Sequence, residues 1–172
     1  MMGFAALNPS YKRLRKYTDM AASLSGSKST TLKIRGLNHL TLAVADLDRS
    51  VSFYRDILGC GLRALWNSGA YLEAGTLWIC LSLDPAAQST ERSDYTHYAF
   101  DVAAEDFEAL SEKVMAHATM WKENESEGAS LYFLDPDGHR LELHVGSLEA
   151  RLAHYREASS SDVLIFPKLQ PS

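Results

Sequence analysis

Along the central part of the chain, apolar and polar residues alternate with period two, switch to a helical period, return to period two, and then the whole succession starts again. The first run, Leu37 to Ala45, alternates as a half-buried strand does. In "DLDRSVSFYRDILG", Val51, Tyr54, Ile57 and Leu58 share one face of a helix that Asp46 or Asp48 can cap and Gly59 can end. Three strand patterns follow, "LRALWN", "AYLEA" and "LWICLSL". Beyond a polar linker, "DPAAQSTERSD", the order recurs. "YTHYAFDV" reads as a strand, "AEDFEALSEKVMAH" as a helix with Phe107, Leu110 and Val114 on one face, and "TMWKE", "SLYFLD" and "HRLELHV" as strands. In "DPDG", Pro136 and Gly138 stand where a type I turn favours them. The pattern predicts an α+β fold of two tandem β-α-β-β-β units, residues 36–83 and 95–146, joined by the linker 84–94 into a domain over 34–146 with cup-shaped mixed sheets.

The flanks break this pattern. Residues 1–33 carry six basic residues (Lys12, Arg13, Arg15, Lys16, Lys28, Lys33) against one acid, Asp19, and their run "MAASLSGSKSTT" has no apolar period, which predicts a flexible basic extension. A basic, Ser-rich leader shares some features of an organellar transit peptide but lacks the rest of that pattern, and the apolar core of a secretory signal is missing. "LEARLAHYR" gives a helix at 147–157, and 158–172 reads as a tail.

Composition narrows the function classes. A chain of 172 residues, 46% hydrophobic, can bury a sizeable core. A net charge of −5 argues against general nucleic-acid binding, which needs a basic face along the phosphates. No apolar run reaches the ~18 residues of a membrane span. Cys60 and Cys80 both lie in apolar surroundings, read as buried free thiols of a cytoplasmic protein rather than a disulfide framework.

Strand alternation locates the polar exceptions. Leu37, His39, Thr41 and Ala43 share one face of the first strand, and Leu40, Leu42 and Val44, the more apolar set, share the face that meets the helix. His97 holds the matching third position in the second unit, and Glu142 lies opposite Leu141, Leu143 and Val145 in the last strand. Two imidazoles and one carboxylate facing a common space suit a divalent metal with open positions. Aligning "DGHRLE" with "AGTLWI" gives Ile79 as the counterpart of Glu142, so no fourth protein ligand is expected. His139 borders the turn, and His144 is a candidate partner behind the ligands.

The segments "GLNHLTLAVADL", "FYRDILG", "GAYLE", "DYTHYAF", "NESEGASLYFLDPDGHRLELHVG" and "LEARLAHYR" closely resemble the fosfomycin resistance glutathione transferases of the FosA type, in the vicinal oxygen chelate superfamily with the glyoxalases. The resemblance covers residues 35 to 156. It implies that His39, His97 and Glu142 bind Mn(II), which would activate the epoxide of fosfomycin toward glutathione. Thr41 would donate to the oxirane oxygen, Tyr71 would aid thiolate formation, and Trp78 would shape the pocket wall. Lys122, Ser126, Ser130, Tyr132 and Arg151 would hold the phosphonate. Asn124, Ser126, Glu127, Gly128 and Ser130 would form a K⁺ loop, and a homodimer would share its sites between subunits. Within the same superfamily the alternatives are an epoxide hydrolase, a transferase using another thiol, or a non-catalytic drug-binding protein. Thr41 in place of a cysteine and Tyr71 in place of an acid favour glutathione transfer.

Overall fold

The alternating run of the first unit forms strand β1 (His39–Val44), with Leu42 and Val44 buried and His39 and Thr41 exposed. β1 pairs in parallel with β4 (Leu77–Leu83), whose other edge takes β3 (Gly69–Ala74) and then β2 (Gly61–Trp66), both antiparallel. The second unit repeats this order, with β5 (Tyr98–Asp101) parallel to β8 (Arg140–Val145), followed by β7 (Ala129–Leu134) and β6 (Met120–Lys122). The computed structural model describes residues 34, 36–87, 94–125, 128–158, 163 and 165–166. The expected extension at 1–33, positions 88–93 of the linker, Ser126, Glu127 and most of 158–172 lie outside the described residues. Gly36–Glu157 form one compact unit.

Leu42, Val44, Leu72, Ile79 and Leu81 from the first sheet and Phe133, Leu141 and Leu143 from the second join one core with Val51, Phe53, Tyr54 and Val114. Burying each large aliphatic chain contributes ~1.5–3 kcal/mol, which is enough to decide which side of each strand faces outward.

The first helix departs from expectation. Asp46 caps α1 (Leu47–Ser52) by accepting from Arg49 N at 3.0 Å, but at Phe53 the helix widens into a π-helical turn, Phe53–Ile57, with Leu58 N bonded to Phe53 O at 3.1 Å. The wider turn directs two consecutive side chains inward. Phe53 packs on Phe133, and the hydroxyl of fully buried Tyr54 donates to Asp135 Oδ2 at 2.8 Å. A second difference lies at β5, whose ladder starts at Tyr98, so His97 stands one residue before the strand. Two further helices among the described residues are α2 (Phe107–Met115) and α3 (Leu148–Glu157).

A buried polar joint links the repeats. Asp137, in the turn that leads into β8, accepts from Ala45 N (2.8 Å) and Arg49 (2.7 Å) through Oδ1 and from Ser50 Oγ (2.6 Å) through Oδ2. Asp135 accepts from Tyr54, from the backbone N–H of Asp137 and His139, and from His139 Nδ1. Burial, reinforced by the Asp135 charge, holds the Tyr54 phenol well above its ordinary pKa. His139 therefore belongs to the scaffold: it is 3% exposed and serves the turn.

Candidate functional site

Sheet registers decide which of the expected residues meet. In the second sheet Ala99 pairs with Glu142, Tyr132 with Glu142, and Ser130 with His144. The face opposite Leu141 and Leu143 therefore presents Glu142 and His144 beside Ser130 and Tyr132, and His97 reaches the same place from the entry to β5. His97 Nε2 stands 3.0 Å from Glu142 Oε2. The other carboxylate oxygen, Oε1, accepts from Ser130 Oγ at 2.7 Å, and the same hydroxyl oxygen lies 2.8 Å from His144 Nδ1.

On the first sheet, His39 pairs with Trp78 and Trp78 with Glu73, while Thr41, Cys80 and Tyr71 form the neighbouring row across β1, β4 and β3. Aromatic rings continue along this face. His39 lies 4.6 Å from Trp78, Trp78 4.9 Å from Tyr71, and Tyr71 4.7 Å from Trp66, measured between ring centroids. The registers correct the alignment of the repeats: Thr41, two residues beyond His39, pairs with Cys80, as Ala99, two beyond His97, pairs with Glu142. Cys80 is thus the counterpart of Glu142. Ile79, fully buried, matches Leu141 instead, because a one-residue slip moves a strand side chain to the opposite face. The expectation of two buried thiols is corrected too. Cys60 is buried, and Cys80 is half-buried on the outward face.

Beside His97 and Glu142 lies a cation held by rings. Lys122 Nζ donates to Tyr95 Oη at 2.5 Å and sits 5.0 Å and 5.1 Å from the ring centroids of Tyr95 and Tyr132. The Tyr95 hydroxyl holds the Lys122 ammonium above its ordinary pKa. Trp121 packs edge-on against Tyr132 and Tyr95, and Arg140 stacks over it at 4.6 Å. Tyr95 and Trp121 escaped sequence reading. Tyr95 precedes His97 by two positions, so the period-two rule that marked His97 could also have marked it. In the expected cation loop, Asn124 Nδ2 donates to Gly128 O at 2.8 Å, and Gly128 takes a positive φ of 92°. Arg151 lies half-buried in α3.

The donor chemistry fits a metal. Each candidate histidine donates from Nδ1 to an oxygen, Asn38 Oδ1 (2.8 Å) for His39 and Tyr95 O (3.1 Å) for His97, which leaves the Nε2 lone pair available to a cation. With Nδ1 donating, a neutral His97 turns an electron pair toward Glu142 Oε2, and a cation satisfies both atoms. Among the described residues of one chain, His97 and Glu142 are the pair of candidate ligands brought together. Among the described residues no group of three His, Cys, Asp or Glu side chains is placed to hold a metal ion, and His39 stands exposed on the first sheet.

Residues 36–143 match the family model of the Glyoxalase/Bleomycin resistance protein/Dioxygenase superfamily. The chain is 63% identical over 127 residues to the glutathione transferase FosA of Serratia marcescens, covering 72% of this chain and 90% of that protein. It is 38% identical over 138 residues to the metallothiol transferase FosB of Staphylococcus epidermidis, covering 73% and 94%. Among solved structures it resembles a mutant of the fosfomycin resistance protein FosX of Listeria monocytogenes, complexed with Mn(II) and 1S,2S-dihydroxypropylphosphonic acid. That likeness has a TM-score of 0.64 at 34% identity and covers 72% of this chain and 99% of that one. The chain belongs to the Glyoxalase/Bleomycin resistance protein/Dioxygenase superfamily and, within it, to the fosfomycin resistance proteins.

Proposed function

We propose that this protein is a metal-dependent glutathione transferase that inactivates fosfomycin by adding the glutathione sulfur to its epoxide. The observation that carries the reading is the placement of the metal-type pair His97 and Glu142 on one face with the ring-held Lys122 ammonium. The 63% identity to a glutathione transferase favours glutathione over water or another thiol. Mn(II), held by His39, His97 and Glu142, would supply Lewis acidity at the epoxide oxygen. Lys122, with Ser126, Tyr132 and Arg151, binds the phosphonate and offsets its charge, while Ser130, whose one proton goes to Glu142, lines that side of the pocket. Thr41 donates a hydrogen bond to the oxirane oxygen. Tyr71 donates from its hydroxyl to the sulfur and favours the thiolate, while Trp78 closes the wall beside it. The loop of Asn124, Ser126, Glu127, Gly128 and Ser130 takes K⁺, adding positive charge near the phosphonate without using the divalent site.

The site is completed by a second copy of the chain. The first unit of one subunit faces the second unit of the other, which brings His39 to His97 and Glu142 and covers the outward rings of Tyr71 and Trp78. Among the described residues no helix is long and apolar enough to cross a membrane, and the proposed compartment is the cytoplasm, where glutathione is abundant.

Liquid-chromatography mass spectrometry of fosfomycin incubated with protein, glutathione and Mn(II) tests the reaction. The glutathione adduct is expected, and its yield should fall when K⁺ is replaced by a bulky organic cation. A diol as the main product would assign the protein to hydrolysis instead.

A further inference from the structure

Ser130 and His144 form a chain of hydrogen bonds behind Glu142 whose direction follows from the chemistry of its ends. A carboxylate only accepts, so the single hydroxyl proton of Ser130 goes to Glu142 Oε1, 2.7 Å away. The Ser130 oxygen then has only lone pairs left for His144 Nδ1 at 2.8 Å, and His144 must donate from Nδ1. The imidazole is itself held by lack of space around it. A β-carbon at Gly146 would lie 2.7 Å from His144 Nε2, and one at Gly128 would lie 3.2 Å from Cε1 and 2.9 Å from Val145 O. Two glycines thus leave a slot that the ring fills, and the direct register of Ser130 with His144 keeps donor and acceptor opposed.

We propose that His144 is a positioning residue that, through Ser130, fixes the orientation of Glu142 and so sets the divalent-metal affinity of the site. The inference rests on the metal reading above. His144 Nδ1 is 3.5 Å from Glu142 Oε1, so its hold on that carboxylate runs mainly through the shorter path by way of the serine. Without the Nδ1 donor, the Ser130 hydroxyl is free to rotate, and Glu142 loses the bond that keeps Oε2 turned toward His97.

Mn(II) titration of the full-length protein followed by electron paramagnetic resonance, with thermal melting of the metal-free form alongside, tests this without reference to turnover. His144→Leu should weaken Mn(II) binding by about ten- to a hundredfold, the usual effect of losing a partner behind a ligand. His144→Asn, whose amide N–H occupies the place of Nδ1, should recover most of the affinity. Ser130→Ala should reproduce the loss and provides the test should the leucine variant fail to fold. Parent-like affinity in both His144→Leu and Ser130→Ala, with the parent binding Mn(II), would overturn the positioning role alone. Absence of Mn(II) binding by the parent would overturn the metal reading and this inference together.

Discussion

His97 and Glu142, 45 residues apart in sequence, bring Nε2 and Oε2 to 3.0 Å, each supported from behind by another group, Tyr95 O for the imidazole and Ser130 Oγ for the carboxylate. Glu142 is the anionic member of the proposed ligand set. Glu142→Gln is expected to keep the fold, because glutamine fills the same volume and still accepts from Ser130, while Mn(II) affinity and turnover fall at least about tenfold. Circular dichroism and metal titration check both halves, and unchanged metal content with unchanged rate would remove Glu142 from the site.

The separation of His39 from this pair within one chain leads to a complementation experiment. His39→Ala and Glu142→Ala proteins, each nearly inactive alone, should regain activity when unfolded and refolded together. Random pairing makes about half the dimers mixed with one intact site in two, so roughly a quarter of parent activity should return. Demonstrated mixed dimers without recovery would place each site within a single chain.

Lys122 and Tyr95 separate charge from positioning. Lys122→Met should lower kcat/KM for fosfomycin about ten- to a hundredfold, the range expected for losing a hydrogen bond to a charged group. Tyr95→Phe keeps the ring under Nζ but removes the hydroxyl, and its loss should be smaller. Steady-state kinetics at varied fosfomycin concentration gives both values, and equal losses would reject this division of roles.

The joint at Asp137 is a stability element. Asp137→Ala leaves the buried Ser50 hydroxyl and the Ala45 N–H without their acceptor and removes the partner of Arg49, at a cost of about 2–4 kcal/mol. Urea unfolding measures it. A change below about 0.5 kcal/mol, the scale of an ordinary surface substitution, would show that the joint holds nothing together.

The cysteines should differ in reactivity. Burial pushes the Cys60 thiol up to about 11, so its thiolate is scarce until the pH nears that value, whereas Cys80 is half-buried on the open face. At about pH 8 one thiol per chain should react with a disulfide reagent, and the reaction should slow when S-methylglutathione, which has no thiol to consume the reagent, is bound. Peptide mapping that finds Cys60 labelled first would contradict this assignment.

Much of this arrangement can be read from period alone. The alternation of Leu42 and Val44 against His39 and Thr41 gives the outward face of β1, and recurrence of the pattern gives the second sheet. The π-helical turn was not legible, because Phe53 and Tyr54 face inward together only through contacts with Phe133 and Asp135, which lie in the other repeat. Ile79 is one residue out of step with Glu142 for a related reason: turn residues alone cannot fix a register that the parallel ladder with β1 sets to a single residue. Lys122 was legible as a cation, but its Tyr95 partner depends on how the chain enters β5.

Cys80 standing where the other repeat has Glu142 makes the chain a duplication with broken symmetry. Restoring the symmetry takes one substitution, Cys80→Glu, which would place a histidine and a carboxylate in each half. On the proposed reading this would supply a fourth protein ligand and occupy a coordination position needed by the substrate oxygens. The expected outcome is tighter metal binding and a slower enzyme. The imperfect repeat is then what keeps the centre open, since a thiol held back on the floor of the first sheet leaves room that a second carboxylate would fill.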